Sequence, residues 1–224
     1  MEHMNAPLIE ADSLYRFFHA GDDETLALRG VSMSVEAGEV IAITGPSGSG
    51  KSTLLACLAG LDDPDGGMVR IDRTPMSRRP EAERSLLRAR HLGLLFQHDN
   101  LWDHLTVAGN IATAQRLANG VDAVRAAALL DELGLGHRCH AYPSELSGGE
   151  SARAGLAVAL ANNPVVVLAD EPTGELDSTT ATSVLDLLER RAGSGAAVVI
   201  VTHTEAVADR ATRRIRLRDG QVQS

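Results

Sequence analysis

Apolar positions along this chain follow two periodicities. Residues 40–43 (Val-Ile-Ala-Ile) are apolar and largely β-branched with no alternation, and the same continuous pattern returns at 165–169 and 196–201. Runs of this kind read as strands buried on both faces, the mark of a parallel sheet with helices on either side. A helical segment, 180–191, separates the last two runs and gives the βαβ rhythm. Residues 31–35 alternate instead, which predicts a strand with one buried face. Residues 26–28 form a short apolar stretch. Another short strand is predicted over 68–72, after the Asp65-Gly66-Gly67 turn, and a terminal hairpin over 214–222, turning at Asp219-Gly220.

Between about 80 and 163 the period changes to that of helices. Residues 81–90 are charged, with leucines at Leu86 and Leu87. Residues 107–117 follow Thr106, a suitable N-cap, and 121–133 are alanine- and leucine-rich with Gly134 placed to stop them. The expected organisation is a single domain over 7–224. Its core covers about 7–80 and 164–224, and a helical subdomain of about 81–163 is inserted into it.

Composition narrows the class. Of the 224 residues, 44% are hydrophobic and 23% charged, ordinary for a globular chain with a full core, but aromatics are only 3%. The core must therefore be aliphatic, and each aromatic becomes informative. A net charge of −9 disfavours nucleic acid as the main partner. Cys57 and Cys139 lack C-x-x-C spacing and imply no disulfide framework, which suits a reducing compartment. His137, Cys139 and His140 are too crowded for a usual zinc set. The start, with His3-Met4 resembling a cloning remnant, carries no secretory leader pattern, and no apolar run has the roughly 18 residues needed to span a bilayer.

The chemistry centres on Gly45-Pro46-Ser47-Gly48-Ser49-Gly50-Lys51-Ser52, a complete G-x-x-x-x-G-K-[ST] loop. A β-branched strand precedes it and a helix over 53–59, starting at Thr53, follows, the context this motif requires. The glycines let successive N–H groups turn inward at a helix N-terminus and form an anion cradle. Lys51 can then reach the β- and γ-phosphates of ATP, and the Ser52 hydroxyl can ligate Mg²⁺. Asp170 closes the strand over 165–170 and can hold Mg²⁺. Glu171, next to it, can polarise an attacking water. Adjacent carboxylates at a strand end are ordinarily a solvated loop; the phosphate loop reverses that expectation.

Leu146-Ser147-Gly148-Gly149-Glu150 forms a second glycine turn ahead of a helix. One nucleotide does not need two such turns. With it, the chain resembles the ATP-binding-cassette (ABC) ATPases, whose signature is L-S-G-G-Q or L-S-G-G-E, and the resemblance covers nearly the full length. It implies a P-loop NTPase α/β core with a parallel sheet, an N-terminal antiparallel β part and an inserted helical subdomain. It also implies a head-to-tail homodimer that sandwiches two ATPs, the turn Ser147, Gly148, Gly149 and Glu150 of one copy closing on the γ-phosphate held by the other.

By the same resemblance Gln97 contacts Mg²⁺ and the attacking water, His203 contacts the γ-phosphate, and residues 174–177 (Gly-Glu-Leu-Asp) form the D-loop. Phe18 aligns best with the aromatic that stacks on adenine, with Tyr15 and Phe17 as alternatives. Within the family the sequence is similar to the lipoprotein-release and macrolide-export branch, near a cell-division ATPase. Ser151, Ala152, Val158 and Glu175 depart from that branch's pattern, replacing two glutamines, an arginine and an asparagine.

The function implied is an ATP-hydrolysing subunit driving a separate membrane permease from the cytoplasmic face. The alternative is a regulatory ATPase whose dimerisation is itself the signal. Trp102, the only tryptophan, follows Gln97 closely and reads either as a core residue or as an anchor for the membrane partner.

Overall fold

The computed structural model describes residues 6–20, 23–174 and 176–223. Glu175 and the His3-Met4 pair lie outside the described residues. In chain order the elements are β1 (Ile9–Ala20), β2 (Asp23–Val35), β3 (Val40–Thr44), α1 (Lys51–Leu58), β4 (Gly66–Ile71), β5 (Thr74–Pro75), α2 (Glu81–His91), β6 (Leu92–Leu95), α3 (Val107–Ala118), α4 (Ala123–Glu132), α5 (Gly148–Leu160), β7 (Val166–Asp170), α6 (Ser178–Gly193), β8 (Ala197–Val201), α7 (Glu205–Ala208), β9 (Arg213–Arg218) and β10 (Gln221–Gln223). Short 3₁₀ turns at Gly136–Arg138 and Pro143–Glu145 precede α5.

The strands form two sheets. One is antiparallel, in the order β2-β1-β4-β5. The other has the order β10-β9-β3-β8-β7-β6 and is parallel except for β10. The continuous apolar runs are explained by this second sheet, because successive residues of each strand enter different cores. Ile41, Ile43, Val166, Leu168, Val199 and Val201 pack into a core shared with α1 and the antiparallel sheet. Val40, Val167, Ala169, Val198 and Ile200 pack into the other, with α3, α4, α5 and α6. With both faces covered, no position along β3, β7 or β8 favours a polar residue until the strand ends.

Those ends are where the functional residues emerge. Ile43 is in register with Val201, and Val201 with Asp170, so β3, β8 and β7 finish side by side at one edge of the sheet. The open edge beyond the carboxyl ends of central parallel strands is where α/β sheets bind ligands.

Three local signals act as read, whereas Gly66 and Gly67, read as a turn, open β4, and the helix read from Thr53 begins at Lys51. Thr106 caps α3 by accepting from Gly109 N, and Gly134 ends the α4 segment with φ +66°. Asp219 and Gly220, both at positive φ (+49° and +75°), make the tight turn between β9 and β10. The 81–163 span also holds β6, which pairs with β7 as an edge strand of the parallel sheet. The stretch at 26–28 belongs to the 13-residue β2, paired along its length with β1.

Candidate functional site

The loop between β3 and α1 is compressed against two strands. A Cβ on Gly45 would lie 2.0 Å from the Leu217 carbonyl oxygen, and one on Gly50 would lie 2.5 Å from that of Ala27. Both glycines have positive φ, +152° and +98°. Only glycine satisfies both constraints. The Lys51 ammonium donates to the carbonyls of Gly45 and Pro46, each at 2.9 Å, which places it inside the curl of the loop. Ser49 is 2% exposed, and its hydroxyl has no hydrogen-bond partner among the described residues.

Asp170, at the end of β7, is hydrogen-bonded to Ser52 and lies in the field of Lys51. Its pKa is raised, chiefly by burial, with the neighbouring Glu171 charge adding to the rise. The Ser52 hydroxyl and the Asp170 carboxylate thus converge as two hard oxygen donors, a set suited to Mg²⁺. Glu171 takes an unusual backbone conformation for a glutamate, φ +46°, with its N–H donating to Val201 O. Strain of this kind persists where the surroundings fix it. Here the carboxylate is fixed by three contacts: Thr202 Oγ1 donates to Oε2 at 3.0 Å, and the His203 N–H and Nδ1 lie 2.9 and 2.6 Å from Oε1. The Glu171 side chain is 12% exposed and that of His203 73%, so the histidine presents its ring to solvent while anchored at one nitrogen.

A cleft of about 520 Å³ runs along the loop, lined by Ser47, Gly48 and the 50–53 segment on one side and by Phe18 and Thr25 on another. The Arg16 guanidinium stacks 4.8 Å from the Phe18 ring centroid. Tyr15 points elsewhere, against Gly30 and Gly66. A second cavity of about 300 Å³ brings Gln97 together with Glu171, Gly174, Gly148 and Ser151. A third, of about 940 Å³, joins Gly45 and Pro46 to His203 and to Arg214, Arg216 and Arg218 on β9.

The signature turn is built differently. Ser147 caps α5, its Oγ accepting from Glu150 N at 3.3 Å. Glu150 Oε2 accepts in return from Ser147 N and from Ser147 Oγ, both at 2.9 Å. None of Ser147, Gly148, Gly149 or Glu150 lines the cleft along the phosphate loop. The fold therefore gathers Lys51, Ser52, Asp170, Glu171 and His203, sets Phe18 and Gln97 on flanking walls, and leaves the signature turn outside the phosphate cleft.

Two residues of the site carry no motif. Thr202, fully buried, is flagged only by being a hydroxyl at the end of an apolar strand. Arg138 contacts Glu150 across a 3₁₀ turn and leaves no sequence pattern. Trp102 is 57% exposed, with its ring tilted against His104, which rules out the core reading.

Comparison with known proteins agrees with this geometry. The family model described as ABC transporter matches residues 28–174. A macrolide export ATP-binding/permease protein MacB of Hyphomonas neptunium is 42% identical over 222 residues, 98% of this chain and 34% of that protein. MacB of Bordetella avium is 42% identical over 224 residues, again 34% of its length. The chain thus spans about a third of the curated relatives it matches. Among solved structures, the dimeric MJ0796, a bacterial ABC transporter cassette, superposes with a TM-score of 0.90 at 35% identity, covering 96% of this chain and 97% of that one. A post-hydrolysis dimer of the same cassette bound to ADP and Pi gives 0.90 at 34% identity, with the same coverage.

Proposed function

This chain belongs to the ABC transporter family as an ATP-binding cassette, and from that premise we propose that it hydrolyses ATP at sites shared between two copies and passes the resulting motion to a membrane permease. The observation that carries the proposal is that the signature turn does not line the cleft along the phosphate loop, although Gly148 shares the small cavity with Gln97 and Glu171. A turn with donors for a phosphate, and none in its own chain's cleft, calls for a phosphate from a second chain.

Within one copy, the loop N–H groups and Lys51 hold the β- and γ-phosphates, and Phe18 offers its ring to the adenine. Ser52 and Asp170 would hold Mg²⁺, which supplies charge neutralisation to the phosphates when bound. The Glu171 carboxylate accepts the proton of the attacking water. Thr202 and the His203 N–H keep it aimed, so that little reorganisation is needed at the moment of reaction. Gln97, across the small cavity from Glu171, is placed to sense the nucleotide and relay its state to the exposed Trp102 surface. Closing of the second copy supplies Ser147 and Gly149 and excludes water; hydrolysis releases them.

Among the described residues no helix is long and apolar enough to cross a membrane. We assign the membrane step to a permease part, at whose cytoplasmic side this cassette works. The MacB relatives, whose names join ATP-binding and permease functions, support a permease of that kind. Substrates would be lipid-linked, peptide or amphiphilic, by family analogy. Phosphate release from ATP and Mg²⁺, measured with the purified chain and with Lys51→Ala, tests the proposal. Activity lost in the variant supports it; equal activity in both removes the loop from the reaction.

A further inference from the structure

We propose that Arg138 is a positioning residue for the signature turn: by neutralising Glu150 it lets the start of α5 receive the γ-phosphate of a second copy's ATP. The inference rests on the shared-site reading above.

The signature turn has an internal conflict. Backbone N–H groups of Gly148 and Gly149 open α5, and a helix N-terminus carries roughly half a positive charge that attracts anions. Glu150 stands in the same first turn. Its carboxylate caps the helix well, but it also places a full negative charge beside the position an incoming phosphate must occupy. That charge persists at any working pH. Hydrogen bonds from the Ser147 backbone, then from Arg138 and from the Ser147 hydroxyl, hold the Glu150 pKa down at about 2. Protonation therefore cannot relieve the repulsion.

Arg138 can. Its Nε lies 2.7 Å from Glu150 Oε1, while Oε2 is occupied by Ser147. The Glu150 side chain is 14% exposed, so water screens it poorly and the arginine is its principal counter-charge. His137 reaches the same oxygen only at 3.9 Å and is 70% exposed. Arg153 also stands near the turn, its Nη1 3.6 Å from where a Cβ on Gly149 would lie, but it makes no ion pair with Glu150 among the described residues. Arg138 makes no other ion pair among the described residues. Its side chain thus has one task, and Glu150 delivers the result to Ser147.

The experiment measures ATP-driven dimerisation by light scattering over a protein titration, with Glu171→Gln as parent so that ATP is retained. An uncompensated unit charge acting over about a Debye length, roughly 8–10 Å, at an effective dielectric near 20 corresponds to a loss of roughly ten- to thirtyfold in affinity. Arg138→Ala should weaken dimerisation by that factor. Arg138→Gln, which keeps a donor and removes the charge, should do the same. Arg138→Lys should recover most of the loss. Adding Glu150→Gln removes the charge that Arg138 answers, so in that background Arg138→Ala should change the affinity less than about threefold.

Dimerisation within twofold of the parent for Arg138→Gln overturns the proposal. So does an equal loss with and without Glu150→Gln, which would mark a purely structural role. A parent that stays monomeric with ATP refutes the shared-site reading and this inference with it; a parent that dimerises beside unaffected variants refutes this inference alone.

Discussion

Replacing Glu171 by Gln isolates the proton-accepting step from everything else the residue does. The backbone at φ +46° is equally strained for both residues, so the substitution leaves that contribution unchanged. With its oxygen in the place of Oε1 the amide can still accept from the His203 N–H, at 2.9 Å in the native chain, and from a Nδ1–H, while its NH₂ takes the place of Oε2 and fits Thr202 only if that hydroxyl turns to accept. What disappears is the charge. A hydrogen bond to an ionised group is about twice as strong as a neutral one, so folding should lose about 1–2 kcal/mol. For a domain of this size that is a fall of roughly 2–8 °C in melting temperature. Catalysis should lose far more, roughly 10²- to 10⁴-fold in turnover, the contribution of a positioned general base. Steady-state phosphate release gives the turnover, and calorimetric titration with ATP and Mg²⁺ gives the affinity, expected to be little changed. Turnover within threefold of the unmodified chain, or a loss matched by an equal loss of ATP affinity, would refute the reasoning.

Other variants probe the neighbouring parts. Lys51→Ala should weaken ATP binding in calorimetry by tenfold or more, since it removes the ammonium held inside the phosphate loop. Gly45→Ala places a methyl 2.0 Å from the Leu217 carbonyl at a positive φ, so both nucleotide affinity and melting temperature should fall sharply. Trp102→Ala should lower stability by less than the roughly 3–5 kcal/mol of a core truncation, because the ring is 57% exposed. The same variant should lose co-purification with the membrane permease while keeping its own ATPase rate; a large melting shift with intact co-purification would sink the docking role.

What the sequence made legible, and what it did not, follows from the range of the forces. The phosphate loop, the Thr106 cap and the Asp219-Gly220 turn are local solutions to local problems, so their residues announce them. The parallel strands are legible because burial on both faces keeps polar residues out of β3, β7 and β8 until the strands end. Strand β6 is not. It begins at Leu92, directly after α2 ends at His91, and four residues give too short a run to separate from a helix. Its pairing with β7 makes it a strand, and Gly93 marks the close approach, where a Cβ would meet the Ala159 carbonyl oxygen at 2.5 Å. Strand β1 is obscured by irregular pairing: the register shifts between Ala11 and Leu14, around Ser13 at φ +49°, and the shift breaks the alternation. At the site, Glu171 could be picked out by its place after Asp170. Its anchoring by Thr202 and the Arg138–Glu150 contact depend on packing between segments distant in sequence.

The central claim is that a complete active site needs two copies of this chain. The mass of the Glu171→Gln protein in solution, by light scattering with and without saturating ATP, tests it most directly. The account predicts a particle near the monomer mass of 23.7 kDa without nucleotide and one of about twice that mass with ATP. A mass that stays at the monomer value under saturating ATP, with binding confirmed in the same sample, would contradict it.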